Sequence, residues 1–304
     1  MIVRLTLAAL FVVPAAMAYP WQSTSDRWLL GVAIAAVVIL FAWWRGLFVT
    51  TMIARRIAIL TGRSGADARP GEYATVALRI EAQDAAELPL SLAASYLDRY
   101  GISFDKVRLI SRDNGTGRST WIALTLGAAD NVGALTARSS QIPLQDTADL
   151  TARRLADHLR ELGWEVSVDE APRGVVTDQA KETWRGLKVG EGHLAAYRVR
   201  CDERLAETLD AVRASGAAVI WTAVEFTGSK TQPALAAACA LHAGEKPGAR
   251  APLPGLTPER GRHRAALAAL EPASDLRLPA APVPVRAELL AQLRWPAGAV
   301  LSRT

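Results

Sequence analysis

Residues 106–126 read Lys-Val-Arg-Leu-Ile-Ser-Arg-Asp-Asn-Gly-Thr-Gly-Arg-Ser-Thr-Trp-Ile-Ala-Leu-Thr-Leu. Two strand-like runs, 106–111 and 119–126, flank the turn-rich 113–118 segment with its Asn114-Gly115 pair, which predicts an antiparallel hairpin. In the second run Ile122, Leu124 and Leu126 alternate with Trp121, Ala123 and Thr125, so one face is set for a core. Upstream, 73–80 predicts a strand. Residues 90–100 predict a helix, with Leu92, Ala93, Tyr96, Leu97 and Tyr100 on one face and Gly101 as its stop. Downstream, Ala148, Ala152, Leu155, Leu159 and Leu162 recur at helical spacing, with Asp146 as N-cap and Gly163 beyond the end. A strand at 164–168 follows. The order strand-helix-strand-strand-helix-strand is the split βαβ pattern of ferredoxin-like domains.

A second copy of this order follows the linker 169–174 and a short amphipathic helix near 179–187. It consists of a strand at 194–200, a helix at 202–215 stopped by Gly216, and strands at 218–227 and 234–242 joined by 228–233. A final helix is predicted at 257–270. Proline-rich stretches, 247–258 and 272–284, favour extended connections. The fold class is therefore α+β, with two ferredoxin-like modules at 72–170 and 171–270 and a Pro-rich basic segment at 271–304.

The N-terminus is directed to a membrane. Residues 28–44 form an uninterrupted apolar run ending in Trp43-Trp44, long enough to predict a transmembrane helix. The first apolar stretch, extended over about 2–21 with Arg4 snorkelling, predicts another span. A signal peptide cleaved after Ala16-Met17-Ala18 is the alternative for that stretch. Residues 1–46 thus read as a transmembrane hairpin whose interface anchors are Trp21, Trp28, Trp43, Trp44 and Arg45. Arg55, Arg56, Arg63 and Arg69 follow the second span, whereas the connection between spans holds only Asp26 and Arg27. The positive-inside rule then keeps both termini and the soluble region cytoplasmic. Residues 47–71 form a juxtamembrane helix and linker, lying at the inner leaflet or packing on the soluble region.

The 304 residues carry 35 Lys+Arg and 30 Asp+Glu, a net charge of +5. The excess sits behind the second span and in the tail after residue 245, while the stretch between is acidic, which excludes a uniform nucleic-acid surface. Cys201 and Cys239, in a reducing compartment, predict no structural disulfide. The catalytic search returns nothing. The Gly228-Ser229-Lys230-Thr231 turn lacks the spacing and the following helix of a phosphate-binding loop, and Cys239 and His242 fall on opposite faces of a strand. His158, His193 and His263 read as solvated. Trp121, Trp164, Trp184, Trp221 and Trp295 read as core before interface. Arg260, Arg262 and Arg264 read as a solvated face, or as a contact for acidic lipid or an acidic partner.

Several motifs in combination resemble the EccE component of the actinobacterial type VII (ESX) secretion system. They are Trp44-Arg45-Gly46 and Thr50-Thr51-Met52-Ile53-Ala54-Arg55-Arg56, Tyr96-Leu97-Asp98-Arg99-Tyr100-Gly101-Ile102, and Asp105-Lys106-Val107-Arg108. Thr120-Trp121-Ile122-Ala123-Leu124-Thr125-Leu126, Ala129-Asp130-Asn131 with Ala134-Leu135, Ala152-Arg153-Arg154-Leu155-Ala156 and Leu162-Gly163-Trp164 complete the set. The match spans roughly residues 40–245, and the chain's short length suggests the paralogue tied to metal acquisition. The resemblance implies a non-enzymatic subunit of an inner-membrane complex with EccB, EccD and the ATPase EccC, and no cofactor. The rival is a membrane-tethered enzyme acting on a lipid or sugar-nucleotide.

Overall fold

The computed structural model describes residues 2–17, 19–20, 23–41, 43–44, 47–61, 72–81, 87–137, 143–172, 174–176, 180–229, 231–285, 289–290 and 293–297. They fall into two compact units, 1–64 and 65–304.

The first unit holds α1 (Ile2–Met17), α2 (Thr24–Phe41), β1 (Trp43–Trp44), β2 (Leu47–Phe48) and α3 (Val49–Leu60). α1 packs on α2, and α3 touches α2. The expected spans are corrected here: among the described residues no helix is long and apolar enough to cross a membrane. α1 stops at Met17 and contains Pro14, so it reaches roughly 24 Å at the usual rise, against about 30 Å of hydrocarbon. α2 begins with four polar residues, which leaves its apolar stretch, 28–41, roughly 21 Å long. Trp43 and Trp44 are outside that helix because they pair with Phe48 and Leu47.

The second unit begins with β3 (Tyr73–Glu81), α4 (Leu90–Ser95), β4 (Asp98–Arg99), β5 (Ile102–Asp113), β6 (Arg118–Gly127), α5 (Val132–Thr136), α6 (Leu144–Glu161) and β7 (Glu165–Val168). It continues with β8 (Lys181–Thr183), β9 (Gly186–Val189), β10 (Gly192–Val199), α7 (Leu205–Arg213), β11 (Val219–Gly228), β12 (Pro233–Ala243), β13 (Leu256–Pro258), α8 (His263–Ala268) and β14 (Val283–Pro284). One sheet runs β7-β3-β6-β5-β11-β12-β10-β9-β8, with β4, β13 and β14 paired off that path. Neighbours along it are antiparallel. The two stretches expected as modules meet where β5 lies against β11, so they share a sheet instead of standing as separate bodies.

Alternation gives the sheet two apolar faces. Val76, Leu78, Leu109, Leu124, Val224 and Ala237 face a core completed by α4, α6 and α7. Ile110, Trp121, Ala123, Trp221, Ala236, Ala238 and Ala240 face a second core closed by α8 and the chain around Leu270 and Leu278. Both sides being covered, the central strands carry near-continuous apolar runs.

Four expected elements differ. α4 ends at Ser95 because the chain turns there to pair β4 with the start of β5. α6 starts at Leu144 with Pro143 at its N-cap, so Asp146 lies in the first turn, where its charge meets the positive helix end. The helix near 179–187 is instead the β8–β9 hairpin. Gly186 approaches Leu194 so closely that an added Cβ would sit 3.0 Å from its carbonyl oxygen, a contact suited to a paired strand. The helix at 257–270 is split, because 256–258 pairs along β10 before α8 begins.

Candidate functional site

Of the predicted membrane and retention residues, Trp28 lies on α2 and is 70% exposed, Trp43 and Trp44 form β1, and Arg55 and Arg56 lie on α3. Trp21, Arg45, Arg63 and Arg69 are outside the described residues. Leu10, Val12, Val13, Met17, Leu29, Val32 and Ile34 are also exposed on α1 and α2. The first unit therefore presents an apolar surface to its surroundings.

The most concentrated polar chemistry is buried at the β5–β11 junction. A bulge between Phe104 and Lys106 shifts the alternation of β5, turning Lys106, Arg108 and Ile110 onto the face opposite Phe104. There Arg108 stands across from Glu225. Its Nε donates to Glu225 Oε2 at 2.9 Å and its Nη2 to the same oxygen at 2.5 Å, with both side chains enclosed. Nη1 donates to the carbonyl of Ala269 at 2.5 Å and Nη2 to that of Leu276. Lys106 Nζ donates to Leu276 O at 2.5 Å, and Leu278 N donates to Glu225 at 3.3 Å. Outside the cluster Arg277 pairs with Asp105, the bulged residue. Burial, and then the Arg108 charge, push Lys106 down to about 6. Every donor here is directed at the 269–278 segment or at Glu225. The cluster is a strap that fixes the C-terminal chain across the junction and leaves no group aimed at a ligand.

Beside it, the Trp121 and Trp221 rings stack 5.9 Å apart at 14°, and Trp121 Nε1 donates to Asp169 Oδ2 at 2.9 Å. Trp295 is fully buried in the helical-face core, while Trp164 is half-buried against it. Trp184 is half-buried. Among the other motif residues, Asn131 Nδ2 donates to Ser103 O at 2.7 Å and Gly127 O at 2.9 Å, and its Oδ1 accepts from Ser103 N at 2.9 Å.

A cleft of about 340 Å³ lies between β3, α6 and the end of β7, lined in part by Thr75, Gln145, Asp149, Arg153, Asp169 and Glu170. Asp169 already holds Trp121, Asp149 accepts from Gln145 at 3.1 Å, and Thr75 shares a hydrogen bond with Thr125 at 2.9 Å. The lining contains no nucleophile with a base in reach. Among the described residues no group of three His, Cys, Asp or Glu could hold a metal ion. β12 carries both Cys239 and His242, three residues apart and so on opposite faces. Burial pushes the Cys239 thiol up to about 12 and the Cys201 thiol up to about 11.

Two readings of the basic tail change. His263 is fully buried, its Nδ1 accepting from Ala196 N at 3.1 Å, because α8 packs its first residue against β10. Arg260 donates to Ala249 O at 2.5 Å and Arg264 to Ala180 O, so both hold loops of this chain in place of a solvated face. The sequence reading also missed Lys106, Arg108 and Glu225. The signal was present: three charges inside strands whose neighbours are apolar on both faces.

Comparison with known proteins places the fold in context. A family model described as "Putative type VII ESX secretion system translocon, EccE" matches residues 116–199, the stretch from β6 through β10. Over 289 residues, 94% of this chain and 93% of the other, the sequence is 50% identical to the ESX-3 secretion system protein EccE3 of Mycolicibacterium smegmatis. Over 304 residues, 96% of this chain and 91% of the other, it is 48% identical to the protein of the same description from Mycobacterium tuberculosis. Identity near one half along almost the whole length leaves one conclusion: the chain belongs to the EccE family of type VII ESX secretion-system proteins.

Proposed function

We propose that the chain is a non-enzymatic structural subunit of an ESX secretion complex, stabilising or positioning the core membrane assembly through its 65–304 unit. The observation that carries this is the near-full-length identity to two ESX-3 EccE3 proteins, whose designation also supports assignment to the ESX-3 paralogue. The residues agree in kind. The polar chemistry of the 65–304 unit is spent on holding its own segments, as the Arg108–Glu225 strap and Asn131 do. Its expected neighbours are the EccB, EccC and EccD components, with EccC the ATPase.

Attachment to the plasma membrane is assigned to the first unit, supported by its exposed apolar residues. Arg55 and Arg56, on α3 after the two apolar helices, favour the cytoplasmic side for the remainder. We also propose each half of the sheet as a split βαβ module. The order β7-β3-β6-β5 supports this for the first half, and β11-β12-β10 with α7 for the second, whose outer strands β9 and β13 precede α8 on the other face.

Deletion and complementation test the function. Cells lacking the chain lose export through the system and yield a smaller membrane complex, and the chain restores both; export that continues unchanged overturns the proposal. Cysteine labelling tests the topology. A Ser64→Cys chain in intact cells stays unlabelled by an impermeant reagent, and labelling there overturns the cytoplasmic assignment. Labelling of Ser23→Cys from outside marks helices that traverse the bilayer, and protection marks helices embedded from one side.

A further inference from the structure

The fold uses only part of the motif at 96–102. Tyr96, Leu97 and Ile102 are enclosed in the helical-face core. Between them the chain makes a tight turn in which β4 pairs with Ile102 and Ser103, and Tyr100 sits at its tip with φ 59°. Among the described residues it is the only non-glycine in the left-handed region, a place that turn chemistry usually gives to Gly or Asn. The residue is 46% exposed, while its ring meets that of the buried Tyr96 edge-on, centroids 6.4 Å apart.

Two guanidiniums gather on that ring. Arg99 lies 5.5 Å and Arg154 4.6 Å from its centroid. Arg99 also covers Tyr96 at 4.7 Å and donates to Ser95 Oγ at 3.2 Å. Arg154 arrives from α6, so the fold brings together two motifs far apart in the chain. Among the described residues neither arginine forms an ion pair, as is also true of the exposed Arg153 and Arg262, while Arg160, Arg204 and Arg294 each have a carboxylate. Asp98 is exposed on the same turn, and the patch remains net positive.

A guanidinium packed on an aromatic ring is held in place with its outer N–H groups free for a planar anion. Tyrosine and arginine are also the residues that most often dominate protein interfaces. Two cations around one exposed ring are too few for an anionic lipid surface, which recruits clusters of roughly four to eight basic residues. They match a short peptide carrying carboxylates beside an apolar side chain. We propose that Arg99, Tyr100 and Arg154 form a docking surface for an acidic peptide segment of another subunit. Its carboxylates would pair with the two guanidiniums and a neighbouring side chain would cover the ring. This rests on the subunit reading above.

The test is photocrosslinking in cells that carry the secretion system, using the tagged full chain with p-benzoylphenylalanine at position 100. The expected result is an adduct with a polypeptide segment bearing clustered Asp or Glu. Its yield should fall about tenfold or more in an Arg99→Gln/Arg154→Gln background, as expected when the cationic member of each of two charge pairs is lost. It should hold with Arg153→Gln. Should the probe disturb the turn, Leu150, exposed on α6 one turn before Arg154, takes its place with the same expectations. An adduct on lipid or on a neutral or basic segment overturns the proposal, as does a yield indifferent to the arginines or no adduct from either position. A chain that co-purifies with the complex but fails these tests loses this surface alone; a chain that runs alone loses the subunit reading too.

Discussion

One amide, that of Asn131, joins the start of β5 to the end of β6 through three hydrogen bonds. Asn131→Ala would leave a backbone N–H and two carbonyls without those partners in a buried site, and should cost about 2–3 kcal/mol in urea unfolding. Lys106 gives a pH signature. Its folded value of about 6 against 10.5 means that between those limits the unfolded chain binds more protons. Its contribution therefore makes stability rise with pH across that window. Lys106→Met should melt no lower than the parent at pH 6.5 and show a flatter stability–pH curve up to pH 9. A variant with the parental slope would show that Lys106 stays charged. Neither residue's role was legible in the sequence. Asn131 read as one letter of a motif, and its partners are set by the meeting of two strands. Lys106 and Arg108 read as part of a strand and of a motif, and the strap that buries them comes from residues about 170 positions away.

The elements with long, regular periodicity were legible: β5, β6, α6, α7, β11 and β12 lie within a few residues of their expected places. Short segments were not. Residues 179–187 fit an amphipathic helix and a hairpin equally in so small a window, and the choice is made by pairing to β10. The strap over the β5–β11 junction is the element whose energetics are most exposed to test. Arg108→Met or Glu225→Met alone leaves an uncompensated buried charge and should cost about 3–5 kcal/mol. The double variant should recover part of that loss, the remainder reflecting the Ala269 carbonyl and the Leu278 N–H left without their partners. A double-mutant cycle on the unfolding free energy reads the coupling, and additive losses would mean that the two side chains act independently.

Across the whole molecule, the continuous sheet makes the two halves of the 65–304 unit one body. Residues 293–297 return to it, with Trp295 buried under Arg213 at 5.0 Å and its carbonyl accepting from Leu88 N at 2.9 Å. The tail that read as a separate basic segment is thus partly core. Calorimetry of this unit should show one transition whose calorimetric and van't Hoff enthalpies agree, and two resolved transitions would mean that the halves fold independently. The order of the long strands and helices was legible because hydrophobic period and turn residues are local. The shared sheet was not, because nothing in either repeat specifies that its second strand meets its counterpart. The membrane spans were over-read for a related reason: apolar length sets an upper limit on a helix, and the Trp43–Trp44 pairing shortens it. Assembly is decided by affinity purification of the tagged full chain from gently solubilised membranes. A structural subunit is recovered in fixed stoichiometry with EccB, EccC and EccD of the same system; a chain recovered alone, and turning over a substrate, would overturn that role.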